Sequence, residues 1–89
     1  MKVKNIHSGN RPAPDGYKSW LDFWMQEKGV SATPNCANKA CGTKAAHGGH
    51  VKKVDSSDNS WYIVPLCVSC NEKKDLEFEV DSSSMVPVK

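Results

Sequence analysis

Two pairs of cysteines are the residues whose types and spacing most directly predict chemistry. Four residues separate Cys36 from Cys41, two separate Cys67 from Cys70, and 25 residues lie between the pairs. Thiolates in two close pairs are typical of a tetrahedral zinc site that joins two short segments. We predict a structural zinc ion held by all four. The alternatives are free or disulfide-bonded cysteines, and a rubredoxin-like iron site.

Two histidines lie between the cysteine pairs, in the string His47-Gly48-Gly49-His50. An imidazole in this position can act as a general base or bind a metal ion. The two glycines leave the backbone free to expose it. The same residues also suit histidines packed inside a hairpin, so both interpretations stay open for His47 and His50. His7, which has no neighbour at metal-ligand spacing, is predicted to be a surface residue.

The length and composition favour one small soluble domain. A chain of 89 residues with a net charge of +2 buries a limited core and is typically stabilised by metal or disulfides. No stretch approaches the ~18 apolar residues of a membrane span, and the first residues do not resemble a signal peptide. We therefore expect a cytoplasmic protein with reduced cysteines and no membrane partner.

Charge is unevenly distributed along the chain. Residues 28–54 contain five lysines and no acid, whereas residues 72–81 contain five acids and two lysines. A basic face beside a metal module is typical of nucleic-acid binding. The lysines predicted to contact phosphate are Lys39, Lys44, Lys52 and Lys53. An ordinary solvated surface is the alternative for these side chains.

An amphipathic helix is predicted over residues 17–29, because apolar side chains recur at helical spacing. The stripe consists of Tyr17, Trp20, Leu21, Trp24 and Met25. Asp15 or Ser19 suits the N-cap and Gly29 suits the position after the last turn. Phe23 lies off this stripe and is expected to be partly exposed.

The remaining segments are predicted from turn residues and β-branched runs. Residues 1–16 read as a basic arm. Val51, Val54 and the run from Trp61 to Leu66 predict a β-hairpin, with Pro65 at a strand end or edge. Trp61 and Tyr62 should face opposite sides of it, one in the core and one exposed. A short helix follows Cys67, and residues 81–89 are predicted to be irregular.

The predicted order of elements is a cysteine knuckle, a hairpin and a helix carrying the last two ligands, and this order resembles the treble-clef zinc fold. Within it, three sequence strings resemble the HNH nuclease superfamily. They are Cys36…Cys41-Gly42, Gly48-Gly49-His50-Val51 and Val64-Pro65-Leu66-Cys67-Val68-Ser69-Cys70-Asn71. The likeness covers about residues 35 to 75. The core HV…WYIVPLC is also similar to that of small bacterial proteins, for which the likeness implies zinc binding without a known activity.

The resemblance implies a structural zinc and a separate site that cleaves nucleic acid. His50 matches the general base that deprotonates the attacking water, and Asn71 matches a residue that holds the catalytic divalent cation. Gly49 stands where the family usually has Asp, and Tyr62 falls about where it has an asparagine. Two of the four chemical positions are therefore missing. His47 offers an imidazole that a softer divalent metal accepts.

We therefore predict a small α+β zinc domain over residues 17–80, with an N-terminal helix packed on a treble-clef module at residues 35–78. The predicted function is a degenerate HNH-like module that binds DNA, RNA or a protein partner. One alternative is an active metal-dependent endonuclease, with His50 as base and Asn71 and His47 at a second divalent cation. Another is a structural protein whose tryptophan helix docks a partner.

Overall fold

A β-hairpin between the two cysteine pairs forms the centre of a five-stranded antiparallel sheet. The computed structural model describes residues 1–6 and 11–88. The strands are β1 (Lys2–Asn5), β2 (His47–Lys53), β3 (Tyr62–Leu66), β4 (Glu77–Glu79) and β5 (Val86–Pro87), and the helices are α1 (Trp20–Lys28) and α2 (Val68–Glu72). The sheet order is β4-β1-β2-β3-β5. The small α+β class is thus confirmed.

The central hairpin places His50 of β2 opposite Ile63 of β3, and Gly48 opposite Pro65. Proline is tolerated at this position because its missing donor lies on the outer side of β3, where β5 pairs only with Tyr62 and Ile63. On that side the Pro65 carbonyl accepts a hydrogen bond of 2.7 Å from the amide of Ala37. This contact attaches the first cysteine segment to the hairpin.

Two strands lie in segments for which the sequence predicted no strand: β1 in the basic arm of residues 1–16, and β5 in residues 81–89, which were predicted to be irregular. β1 pairs with β2 and β4, and β5 pairs with β3. The inward positions of β1 are Val3 and Asn5, both fully buried. Asparagine is depleted in strands and common in turns, so the sequence did not predict a strand that includes Asn5. His7 and Lys89 lie outside the described residues.

Asn5 is buried, and its side chain forms hydrogen bonds to the second cysteine segment. Its side-chain amide donates to the carbonyl oxygens of Cys70, Asn71 and Lys73, at 3.2, 3.0 and 3.0 Å. These carbonyls lie at the C-terminal end of α2, where few carbonyls have an i+4 partner. The first strand therefore stabilises the helix that carries Cys70.

Helix α1 has the predicted caps at both ends. The Ser19 hydroxyl accepts from the amide of Asp22 at 3.0 Å, and Gly29 takes the left-handed conformation with φ 70°. The helix begins at Trp20, three residues later than predicted. Phe23 is fully buried, which corrects the expected exposure. Tyr17 and Trp20 pack edge-on against its ring, with centroids 5.1 and 5.4 Å away.

The sheet buries one apolar cluster on each face. Neighbouring residues of β3 point to opposite faces, so Ile63 packs with Phe23 and Trp24 of α1. Val64 and Leu66 pack with the cysteine cluster. Among residues 1–6 and 11–88, neither helix has the length and apolar character needed to cross a membrane. The hairpin thus has a helix on one side and the four sulfurs on the other.

We predict that Gly48→Ala destabilises the domain. A Cβ at Gly48 would lie 2.5 Å from the carbonyl carbon of Trp20 and 2.6 Å from the amide nitrogen of Leu21, and backbone cannot move aside easily. The expected loss is about 1–3 kcal/mol in the free energy of unfolding, measured by urea denaturation. Gly42→Ala is the matched control, since nothing lies within 4 Å of its Cβ position. Equal stability of the two variants would contradict the close packing of α1 on β2.

Candidate metal centre and histidine cleft

The four cysteines converge at one end of the hairpin. Their Sγ atoms all lie within 4.8 Å of one another, with Cys41 and Cys67 at 3.7 Å. Cys36, Cys67 and Cys70 are buried, and Cys41 is half-buried. The cluster can hold a metal ion, as the spacing predicts.

Short-range hydrogen bonds shape the two segments that present the sulfurs. In the first, the Cys36 amide donates to Thr43 at 2.8 Å and the Cys41 amide donates to Asn38 at 2.9 Å. In the second, the Cys67 sulfur caps α2 by accepting from the amide of Cys70 at 3.4 Å. The Asn38 side chain donates to the Cys70 sulfur at 3.5 Å. The Cys70 amide and the Asn38 side chain thus donate to sulfur, which stabilises thiolate charge and orients the sulfurs.

The thiols differ in how readily they ionise. Burial raises the pKa of Cys70 to about 12 and also raises the pKa of Cys36. Hydrogen bonds from Thr43 lower the pKa of the Cys41 thiol to about 7. Four thiolates at such short range repel one another and lose hydration. A cation between them would compensate both costs, so the cluster could hold a metal ion.

A cleft beside β2 brings together His47, His50 and Asn71. Its volume is about 310 Å³. Besides these three, it is lined by Arg11, Ala13, Lys18, Ser19, Trp20, Ala46 and Gly48. His47 is exposed, whereas His50 forms part of the inner wall. The three polar residues that the sequence singled out outside the cysteines thus share one cavity.

His50 lies between two tryptophan rings. The ring of Trp20 is 4.6 Å away and that of Trp61 is 5.9 Å away, both edge-on. Only 5% of His50 is exposed. Burial, assisted by the positive charge of Arg11, lowers the pKa of His50 to about 4. The imidazole is therefore neutral at pH 7 and weakly basic.

A side chain at Gly49, the neighbour of His50, would be in close contact with two other side chains. A Cβ at Gly49 would lie 2.4 Å from Cδ1 of Leu66 and 3.1 Å from Oδ1 of Asn71. The Asn71 amide therefore occupies the space in front of Gly49. Any side chain there would displace Asn71 or the buried Leu66.

Arg11 is the residue of this region that sequence reasoning missed. Its carbonyl accepts from the indole nitrogen of Trp20 at 3.1 Å. Its guanidinium carbon lies 4.5 Å from the centre of the Trp61 ring, a cation–π geometry. Nothing near Arg11 in sequence signals these contacts, because both tryptophans come from other elements. Trp61 is half-buried, and so is Tyr62 on the cysteine side, so neither is the fully exposed ring that we expected.

The lysines predicted to contact phosphate lie outside the cleft. Lys39 forms an ion pair with Asp81 at 2.9 Å, and Lys53 forms one with Asp58 at 3.0 Å. The Lys44 ammonium donates to the carbonyl of Thr33 at 3.1 Å. The positive charge that lines the cleft comes instead from Arg11 and Lys18.

Comparisons with protein-family models, with curated proteins and with solved structures find no match to this chain, so its function is argued from the geometry above.

We predict that His50 makes stability depend on pH. The folded pKa is about 4 and the unfolded value is ~6.5, so between these values the unfolded chain binds the additional proton. The contribution of His50 to the free energy of unfolding is therefore fully present above pH 6.5 and decreases as the pH falls towards 4. The decrease is about 2 kcal/mol at pH 5.

Urea unfolding of the wild type and of His50→Gln at pH 7 and pH 5 measures this contribution. Protonation of the cysteines affects both proteins, so the difference between them isolates His50. A wild type and variant that lose equal stability on acidification would contradict the buried neutral imidazole.

Proposed function

We propose that this chain is a zinc-stabilised treble-clef module of degenerate HNH type that binds the phosphate backbone of nucleic acid in the histidine cleft. The observation that carries the proposal is the composition of the cleft. Arg11 and Lys18 line it together with His47, His50 and Asn71, and no carboxylate is among its lining residues in the described part of the chain.

Zinc fits the sulfur cluster. With Zn–S bonds of about 2.3 Å, tetrahedral geometry separates the sulfurs by about 3.8 Å. The Cys41–Cys67 distance of 3.7 Å agrees with this value, and all the sulfurs lie within 4.8 Å. Cys36, Cys41, Cys67 and Cys70 would hold the ion in a closed site, where its role is structural. The order of knuckle, hairpin and ligand-bearing helix supports the treble-clef assignment that we propose.

The cleft suits an anion. Two positive side chains, a neutral imidazole and an amide provide donors and favourable charge for a phosphate oxygen. The closing Pro65-Leu66-Cys67 string and the position of His50 supply the resemblance to HNH nucleases, whose ligand is nucleic acid. These two independent arguments favour nucleic acid over a protein partner. The tryptophan helix also argues against protein docking, since Phe23 and Trp24 are already buried against the sheet.

Loss of catalysis is supported by the position before His50. HNH enzymes usually have an aspartate there, and a hard divalent cation prefers carboxylate oxygens. Here the residue is Gly49, which has no ligand, and a side chain at this position would require Leu66 and Asn71 to shift. A pKa of about 4 also makes His50 a weaker base than an imidazole poised near neutral pH. Binding without cleavage follows from both features.

An active endonuclease is the second candidate, because His50, His47 and Asn71 share one cleft. In that function His47 and Asn71 would hold a soft divalent cation, which would polarise the phosphate. His50 would accept the proton of the attacking water. The neutrality of His50 at pH 7 favours this role, whereas its burial opposes it.

We predict one zinc ion per chain and loss of the fold when it is removed. Structural zinc sites contribute about 10–16 kcal/mol in small peptides, more than the stability of a domain this size. Elemental analysis of the purified protein measures the content, and circular dichroism during chelation follows unfolding. Cys70→Ser should bind zinc far more weakly, whereas Ser69→Ala, on the exposed side of α2, should not. A folded protein without metal would contradict the proposed zinc site.

We predict that oligonucleotide binding depends on Lys18 and weakens with salt. Each phosphate contact contributes about −0.7 to −0.9 to the slope of log K against log [salt]. Lys18→Glu should weaken binding at ~50 mM salt at least fivefold, measured by fluorescence anisotropy. Lys74→Glu is the matched control, because Lys74 is exposed and lines none of the cleft.

Equal effects of the two substitutions would place binding elsewhere than in the cleft.

The same proteins, incubated with plasmid and magnesium or manganese, should leave the plasmid intact. Nicking by the wild type, combined with inactivity of a folded His50→Ala variant, would establish the second candidate instead.

A further inference from the structure

A second depression adjoins the histidine cleft. It has a volume of about 350 Å³ and is lined by Arg11, Ser60, Trp61, Pro87 and Val88. Arg11 also lines the histidine cleft, so the two cavities share this residue. We call this depression the tryptophan groove. Its apolar wall, single hydroxyl and shared arginine differ from the polar lining of the cleft.

The Arg11 guanidinium lies over the ring of Trp61, and Arg11 belongs to the lining of both cavities. The guanidinium carbon is 4.5 Å from the ring centre, and the Arg11 side chain is exposed. The Trp20 indole donates to the Arg11 carbonyl, and His50 packs edge-on against Trp61. The Arg11 backbone and the Trp61 ring are therefore held by these contacts before any ligand arrives, which reduces the entropy lost on binding.

Flat cationic and aromatic surfaces next to a phosphate site are typical of single-stranded nucleic-acid recognition. Unpaired bases stack on tryptophan rings and on arginine planes, while the backbone follows a positive groove. A duplex keeps its bases stacked inside the helix, so its backbone would fill the cleft and leave the tryptophan groove empty. The described lining of the groove contains no acid that would repel the strand.

We infer that the ligand is single-stranded nucleic acid, with a phosphate in the histidine cleft and an adjacent unpaired base stacked on the Arg11–Trp61 pair in the tryptophan groove. This inference rests on the proposed function and specifies its substrate class. Arg11 then has two roles, since its charge serves the phosphate and its plane serves the base. Pro87 and Val88 contact the edge of the base.

Three labelled probes test the inference with the zinc-loaded full chain at ~50 mM salt. They are a mixed-sequence single strand of ten nucleotides, the duplex of the same sequence, and a strand with the same phosphates and abasic spacers. Fluorescence anisotropy gives the Kd of each. The base-containing single strand should bind about 5- to 100-fold more tightly than the abasic strand. It should also bind more tightly than the duplex, although the duplex has the higher charge density.

Arg11→Lys separates the two roles, because lysine keeps the charge and lacks the plane. The ratio of abasic to base-containing Kd should fall to about one or two, with the fold checked by circular dichroism. Trp61→Leu should lower the same ratio if it folds. Lys74→Arg, which changes a lysine outside both cavities, should leave the ratio at the wild-type value.

The outcomes separate this inference from the proposed function. Similar Kd values for the single strand and the abasic strand, or tighter binding of the duplex, would overturn base stacking and leave phosphate binding intact. An Arg11→Lys ratio equal to that of the wild type would also overturn it. Absence of binding to all three probes would overturn the proposed function and this inference together.

Discussion

The constraint on which the structure depends is the burial of four sulfur atoms within one small volume. Thiolates so close together need a cation, and a cation needs both segments in place at the same time. The first segment is attached to β3 through Pro65, and the second opens α2. A metal ion bound by the four sulfurs would thus fix the end of the hairpin. The histidine cleft lies along the strand that this end anchors, so its geometry depends on the same four residues.

The cleft also reflects a conflict between packing and reactivity. His50 closes the core between two tryptophans, and this burial makes it neutral and weakly basic. A catalytic imidazole needs access to water and a pKa near the working pH. At the adjacent position, a side chain in place of Gly49 would require Leu66 and Asn71 to shift. In the proposed function, the packing that stabilises this domain therefore opposes cleavage, while the positive side chains of Arg11 and Lys18 supply the charge for binding.

The sequence predicted those parts of the molecule that depend on local chemistry. Cysteine spacing identified the metal cluster, and the caps Ser19 and Gly29 bounded the helix. It failed where the controlling contact is distant. Asn5 has the sequence character of a turn residue, and only its hydrogen bonds to the end of α2 explain its place in a strand. Arg11 contacts two tryptophans that lie in other parts of the chain. Phe23 was misjudged because Tyr17, outside the helix, helps to enclose it.

The contact of Asn5 with residues 70–73 has a consequence for how the chain assembles. It joins residues 65 to 68 positions apart, so the loop entropy of bringing them together opposes its early formation. During synthesis, the amide of Asn5 emerges long before the carbonyls to which it donates. The hydrogen bonds that stabilise the end of α2 therefore form only after Lys73 has been made. Contacts of such long sequence separation are typical of slowly folding topologies.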